Sequence, residues 1–91
     1  MLIIVAYDVT DQRRLHRVAK CCEDHGLRVQ YSVFECRMEA DEFELFWMEL
    51  SDLIDPEEDR IVAYRICVNC AQRIYAAGTM ETNQKHVAYV L

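Results

Sequence analysis

Near the amino terminus an aspartate follows six hydrophobic residues and precedes a group of arginines, in the order 2-LIIVAYDVTDQRRLHR-17. A carboxylate at the end of an apolar run can cap the next helix, pair with an arginine, or bind a ligand. Thr10 and Asp11 stand closer to the predicted helix start and can supply the oxygen that an N-cap needs, which leaves Asp8 for pairing or for chemistry. One carboxylate is a poor site for a divalent ion, which takes several oxygen ligands. A twofold axis changes that: if the strand ends of two copies meet, Asp8 and its symmetry mate hold one ion between them. That ion can activate water or polarise a phosphodiester.

Other reactive residues form weaker patterns. Arg13, Arg17, Lys20 and Asp24 share one face of the predicted helix, with Arg14 and His16 beside them. Such a face is either solvated surface or a seat for a phosphate backbone. The pair 67-CVNC-70 has no second CxxC or HxxxH to complete the four ligands of a structural zinc. It reads as lying within or just after a strand rather than opening a capped helix, which weighs against a thioredoxin-like role and leaves the thiols as small apolar residues. His16, His25 and His86 show no spacing that suggests a metal site or a triad. Gly26 and Gly78 are the only glycines, so no glycine-rich phosphate loop exists and ATP or dinucleotide use is not expected.

The elements that must position these residues follow from periodicity. The run 2-LIIVAY-7 is β-branched and too short for a helix, and predicts a buried central strand. A helix over about 11–25 carries Leu15, Val18, Ala19 and Cys22 at core spacing and ends at Gly26 in the usual C′ position. The stretch 28–38 predicts one long strand, bent or bulged. A second helix over about 40–54 buries Phe43, Phe46, Trp47, Leu50, Leu53 and Ile54 and stops at Asp55-Pro56. A strand at 60–68, a helical turn or added strand within 69–78, and a terminal strand at 85–91 complete the chain.

This is read as an α+β, ferredoxin-like β-α-β-β-α-β arrangement, an antiparallel sheet with both helices on one face, in a single domain over 1–91. The other sheet face needs a cover, because the first strand is apolar on both sides and 61-IVAY-64 is apolar at successive positions. A second copy is the simplest cover, so a face-to-face homodimer is expected, with 79–91 open to extension onto the partner. A domain of 91 residues buries too little surface to be strongly stable alone, which favours the same conclusion.

Composition narrows the classes further. No run approaches the ~18 apolar residues of a membrane span and no leader pattern precedes the first strand, so a cytoplasmic protein is expected, without a membrane partner. Five cysteines in apparent core positions fit reduced thiols better than a disulfide framework. The net charge of -6 argues against nucleic acid until its distribution is considered. Ten acids and no Lys or Arg lie within 39–59, so that segment carries -10 and the remainder +4.

The segments 7-YDVTDQRRLHRVAK-20, Gly26 with 28-RVQYSVFEC-36, and 59-DRIVAYRIC-67 together resemble the small CRISPR-associated protein family that accompanies the integrase in spacer acquisition. The resemblance implies a ferredoxin-like homodimer with Asp8 of each subunit as an interfacial ligand for Mg2+ or Mn2+. It implies an endonuclease of single-stranded RNA or double-stranded DNA, or a non-catalytic scaffold that holds DNA between integrase dimers. Residue by residue it makes Asp8 catalytic and metal-binding, and places Tyr7, Arg17, Arg28, Ser32 and Phe34 at family positions for nucleic acid, with Arg13 and Arg14 beside them. Most of 28–36 is still expected to determine the fold, with Arg28 as its nucleic-acid contact. The acidic stretch 39–59 departs from a DNA-binding platform unless its helix lies away from the nucleic acid.

Overall fold

A computed structural model of the chain describes residues 1–78. The elements run β1 (Leu2–Asp8), α1 (Gln12–His25), β2 (Gly26–Gln30), β3 (Val33–Arg37), α2 (Ala40–Leu53), β4 (Arg60–Ile66) and α3 (Val68–Ala71). All strand pairs are antiparallel and the sheet order is β2-β3-β1-β4. The expected ferredoxin-like architecture is the observed one. The expected terminal strand at 85–91 lies outside the described residues, and the segment after β4 opens with a helical turn rather than an added strand.

Alternation along β1 explains why both helices share one face. Ile3, Val5 and Tyr7 point to one side and pair in register with Cys36 and Phe34 of β3 and with Ala63 and Ile61 of β4. Val18 and Cys22 of α1 and Phe46 and Leu50 of α2 close over them, making one core. Asp11 caps α1, its Oδ2 accepting the backbone N–H groups of Arg13 and Arg14 at 3.0 Å each. The cap that Asp8 could have supplied is therefore filled.

The stretch 28–38 corrects the expectation of one long strand. It holds the end of the first arm, the turn and the second arm of a hairpin: β2 and β3 pair with each other, Tyr31 and Ser32 form the turn, and the register shifts between Arg28 and Gln30. The backbone N–H of Tyr7 donates to the Ser32 carbonyl at 3.1 Å, which ties this turn to the end of β1.

Gly26 also differs from expectation. Its φ of -163° is ordinary extended backbone, so it does not end α1 in the left-handed conformation of a C′ glycine. What requires glycine is close approach: a Cβ here would stand 2.3 Å from the Glu35 carbonyl oxygen and 2.6 Å from the Cys36 Sγ. Gly26→Ala is expected to cost about 1–3 kcal/mol as β2 is pushed from β3, read as a lower denaturant midpoint at unchanged m-value.

Neither α1 nor α2 packs on the opposite face of the sheet. That face carries Leu27, Ile4, Ala6, Val33, Val62, Tyr64 and Ile66, alternating in register with the residues beneath α1 and α2. Ile4 and Ala6 stay only half-buried although they sit on a central strand, and Tyr64 is 56% exposed. Asp8 ends the same row of side chains, opposite Arg60 of β4.

Candidate metal position and nucleic-acid interface

β1 carries Asp8 out past the last core residue of the strand and onto the sheet face away from α1 and α2. Its carboxylate is exposed and makes no hydrogen bond or ion pair among the described residues. Arg60, its cross-strand neighbour, is the closest cation by register, yet the two form no ion pair. Sequence reasoning did not single out Arg60, because only the β1–β4 register places it there. No group of three or more His, Cys, Asp or Glu residues able to hold a metal occurs among the described residues. One chain thus offers one exposed carboxylate, and an ion held here needs ligands from elsewhere.

The basic residues divide into two kinds. Arg13 and Arg17 are exposed on α1 with no acidic partner among the described residues, and with Gln12 and His16 they border a shallow depression of about 460 Å³. Arg14, one residue away, turns the other way. Its Nε donates to Asp59 Oδ2 at 2.7 Å and its terminal nitrogen reaches Glu58 at 3.3 Å. Arg14 therefore locks α1 to the start of β4, and its charge is met by acid rather than offered to solvent. Lys20 pairs with Asp24 at 3.5 Å on the surface.

Asp59, which sequence reasoning did not mark, has a side chain with no exposed surface. It also accepts the backbone N–H groups of Asp55 at 2.9 Å and Thr10 at 3.1 Å. The Arg14 guanidinium, with these N–H groups, holds its carboxyl well below the usual carboxylate range. A depressed carboxylate contributes stability above its unfolded value, near about 4, and that contribution is lost as pH falls from there toward the folded value. Denaturant midpoints measured from about pH 6 down to pH 2 should drop below about pH 4, and Asp59→Asn should flatten the drop while lowering stability at neutral pH.

The aromatic and hairpin positions need correction. Phe34 is 0% exposed, stacked 6.2 Å from the Tyr7 ring and facing the helices, so it is a core residue and cannot touch nucleic acid in this fold. Tyr7 is buried too, its hydroxyl donating to the Tyr31 carbonyl at 3.5 Å, and burial pushes the phenol up so that it stays neutral. The step from Tyr7 to Asp8 crosses the sheet, so these neighbours face opposite sides.

Arg28 lies over Phe34 with its guanidinium carbon 4.9 Å from the ring centroid, donates to the Tyr31 carbonyl and reaches Glu23 at 3.1 Å. It braces β2 against α1 and the turn. Ser32 is half-buried in that turn, and Tyr31, 88% exposed, is the aromatic ring that the turn presents to solvent. Tyr7, Gln12, His16, Arg28, Tyr31 and Ser32 border a second depression of about 380 Å³, between the turn and α1. It shares Gln12 and His16 with the first, so the turn and the Arg13–Arg17 face form one continuous surface. Neither depression is lined by Asp8.

Residues 1–74 match a family model described as CRISPR associated protein Cas2. A CRISPR-associated endoribonuclease Cas2 3 of Chloroflexus aurantiacus is 40% identical over 88 residues, covering 94% of this chain and 95% of the relative. A CRISPR-associated endonuclease Cas2 of Halalkalibacterium halodurans is 37% identical over 83 residues, covering 86% of each. The crystal structure of Streptococcus pyogenes Cas2 aligns with a TM-score of 0.76 at 38% identity, over 86% of this chain and 100% of that one.

Proposed function

The chain belongs to the CRISPR associated protein Cas2 family, and from that premise we propose that it is a metal-dependent endonuclease of spacer acquisition. Its substrates are single-stranded RNA, double-stranded DNA or both, and its partners are a second copy of itself and the CRISPR integrase. Cytoplasmic residence is part of the same proposal; no helix among the described residues is long and apolar enough to cross a membrane.

The observation that carries this reading is the place of Asp8, an exposed carboxylate with no partner among the described residues, at the end of the sheet face that carries half-buried Ile4 and Ala6 and is covered by neither α1 nor α2. Covering Ile4, Ala6, Val62, Tyr64 and Ile66 with the same face of a second chain removes apolar surface from water at about 25 cal/mol per Å². An isologous contact of this kind doubles whatever lies along it. Asp8 and its mate would then hold Mg2+ or Mn2+, an ion that activates water and stabilises charge on a phosphodiester. Arg60, opposite Asp8 in register, stands where a phosphate approaching the carboxylates would pass. Arg13 and Arg17 neutralise phosphates along α1, and Arg28 and Ser32 support the hairpin turn beside it.

A second reading is favoured by one specific arrangement. The phosphate-facing surface of α1 lies on the helix side of the sheet and Asp8 on the other, so binding and cutting are separable in this chain. In that case the dimer is a non-catalytic scaffold that holds DNA for the integrase. Purified protein incubated with RNA or duplex DNA, with Mg2+, Mn2+ or chelator, tests the first reading, and the mass by sedimentation tests the dimer. Cleavage that ignores chelator sinks the metal site. A 10.7 kDa species alone at micromolar concentration sinks the face-to-face contact. Integration assays with purified integrase in which Asp8→Ala works normally would select the scaffold.

A further inference from the structure

Two of the five cysteines take no part in the readings above. Cys21, Cys22 and Cys36 are buried in the core, where desolvation pushes their thiols up to about 12, 12 and 11. Such thiols are inert. Cys67 and Cys70 are exposed, which corrects the expectation that all five behave as small core residues. The expectation that the pair does not open a helical turn is also corrected. Cys67 is the capping residue of α3 and Cys70 its third residue.

This turn makes the two thiols unequal. Cys67 Sγ accepts the backbone N–H of Cys70 at 3.4 Å. The Cys70 thiol lies on the same turn, close enough to act on that sulfur. The backbone N–H and the neighbouring thiol favour the Cys67 thiolate and lower its pKa, and the proximity of Cys67 raises that of Cys70. One sulfur is prepared as a nucleophile, and a second, still protonated, stands within hydrogen-bond reach of it. Structural zinc takes four ligands, and no group of three or more His, Cys, Asp or Glu residues placed to hold a metal accompanies the pair among the described residues.

We propose that Cys67 and Cys70 form a reversible redox site, a dithiol that low-molecular-weight disulfides oxidise to an intrachain bond within the turn after β4. The Cys67 thiolate attacks one sulfur of the disulfide RSSR, forming a mixed disulfide and releasing RS⁻, which takes up a proton. The Cys70 thiol then loses its proton to solvent and attacks the Cys67 sulfur, forming the Cys67–Cys70 bond and releasing the second thiolate. Two protein thiols are oxidised and one RSSR is reduced to two RSH. A low-molecular-weight thiol reverses both steps.

The site is independent of the proposed nuclease chemistry. Ile66 pairs with Leu2 and Arg60 with Asp8, so the cysteines and Asp8 stand at opposite ends of β1, about 20 Å of strand apart. Cys67 also borders an apolar cavity of about 480 Å³ with Met1, Leu2, Ile66 and Val68, and oxidation therefore acts on the wall of that cavity.

The test begins with a maleimide added to the native full-length protein, which should label two of the five thiols, Cys67 faster than Cys70. A separate sample treated with oxidised glutathione before the maleimide should stay unlabelled and be lighter by about 2 Da, two hydrogens, with peptide mapping pairing Cys67 to Cys70 and dithiothreitol restoring both thiols. Cys70→Ser should stop at one glutathione adduct on Cys67. Cys67→Ser, which keeps a capping oxygen, should leave Cys70 slow to react. The proposal is overturned if both cysteines carry glutathione without an internal bond, if the bond forms between chains, or if the native pair does not react. Stoichiometric zinc released on thiol blocking would overturn it in favour of a metal site.

Discussion

Asp8→Ala is expected to lower Mg2+-dependent cleavage about a thousandfold while leaving the fold intact. The magnitude follows from what a bound ion contributes: several kcal/mol of transition-state stabilisation, at a factor of ten for each ~1.4 kcal/mol. The intact fold follows from the exposure of Asp8 and its lack of hydrogen bonds and ion pairs among the described residues. Substitution at such a position usually changes stability by no more than about 0.5 kcal/mol. A readout other than cleavage strengthens the test. Two carboxylates facing across a twofold axis repel until a cation sits between them, so Mg2+ should tighten the parent dimer and have no such effect on the variant. Asp8→Asn, which keeps shape and removes charge, should behave like the alanine variant. Cleavage at the parent rate by protein free of contaminating nucleases would remove Asp8 from the mechanism. A fall of several degrees in Tm would instead make it structural.

That the place of Asp8 on the sheet is legible in the sequence while those of Phe34 and Arg14 are not has a physical basis. The core stripes of α1 and α2 follow from helical periodicity, and Val18, Cys22, Phe46 and Leu50 are buried where that spacing puts them. Asp8 is marked by strand alternation, which local pattern also carries. Phe34 was not legible in the same way, because its face depends on the hairpin turn at Tyr31 and Ser32. That turn has no glycine, proline, asparagine or aspartate to announce it, and the residues on both sides favour strands. Treating 28–38 as continuous loses the register, and a register error moves side chains to the wrong face. Arg14 was misjudged for a different reason. On a helical wheel it resembles Arg13, but its partner Asp59 is 45 residues away and only the packing of α1 beside the start of β4 joins them. Cys67 was obscured because a helix of four residues has no periodicity to read.

Removing both Arg13 and Arg17 as alanines is expected to weaken nucleic-acid binding most at low salt and to flatten its salt dependence. Each phosphate contact on a duplex contributes about 0.9 to the slope of log K against log salt, so two contacts from each of two protomers account for about 3.6 units. Those two guanidiniums are exposed and have no acidic partner among the described residues, so their loss should not unfold the chain. Arg14→Ala is the control that separates charge from structure. It strips the buried Asp59 carboxylate of its guanidinium, so it should lower stability while leaving the salt slope close to the parent value. Titrations from about 50 to 200 mM salt, with thermal melts of each variant, distinguish the two outcomes. A double variant with an unchanged slope would move the phosphate contacts off α1 and leave Tyr31, Arg28 and Arg60 as the residues to change next. If the same variant also keeps cutting at the parent rate, the substrate reaches Asp8 without the help of α1, and the basic helix serves neither catalysis nor binding.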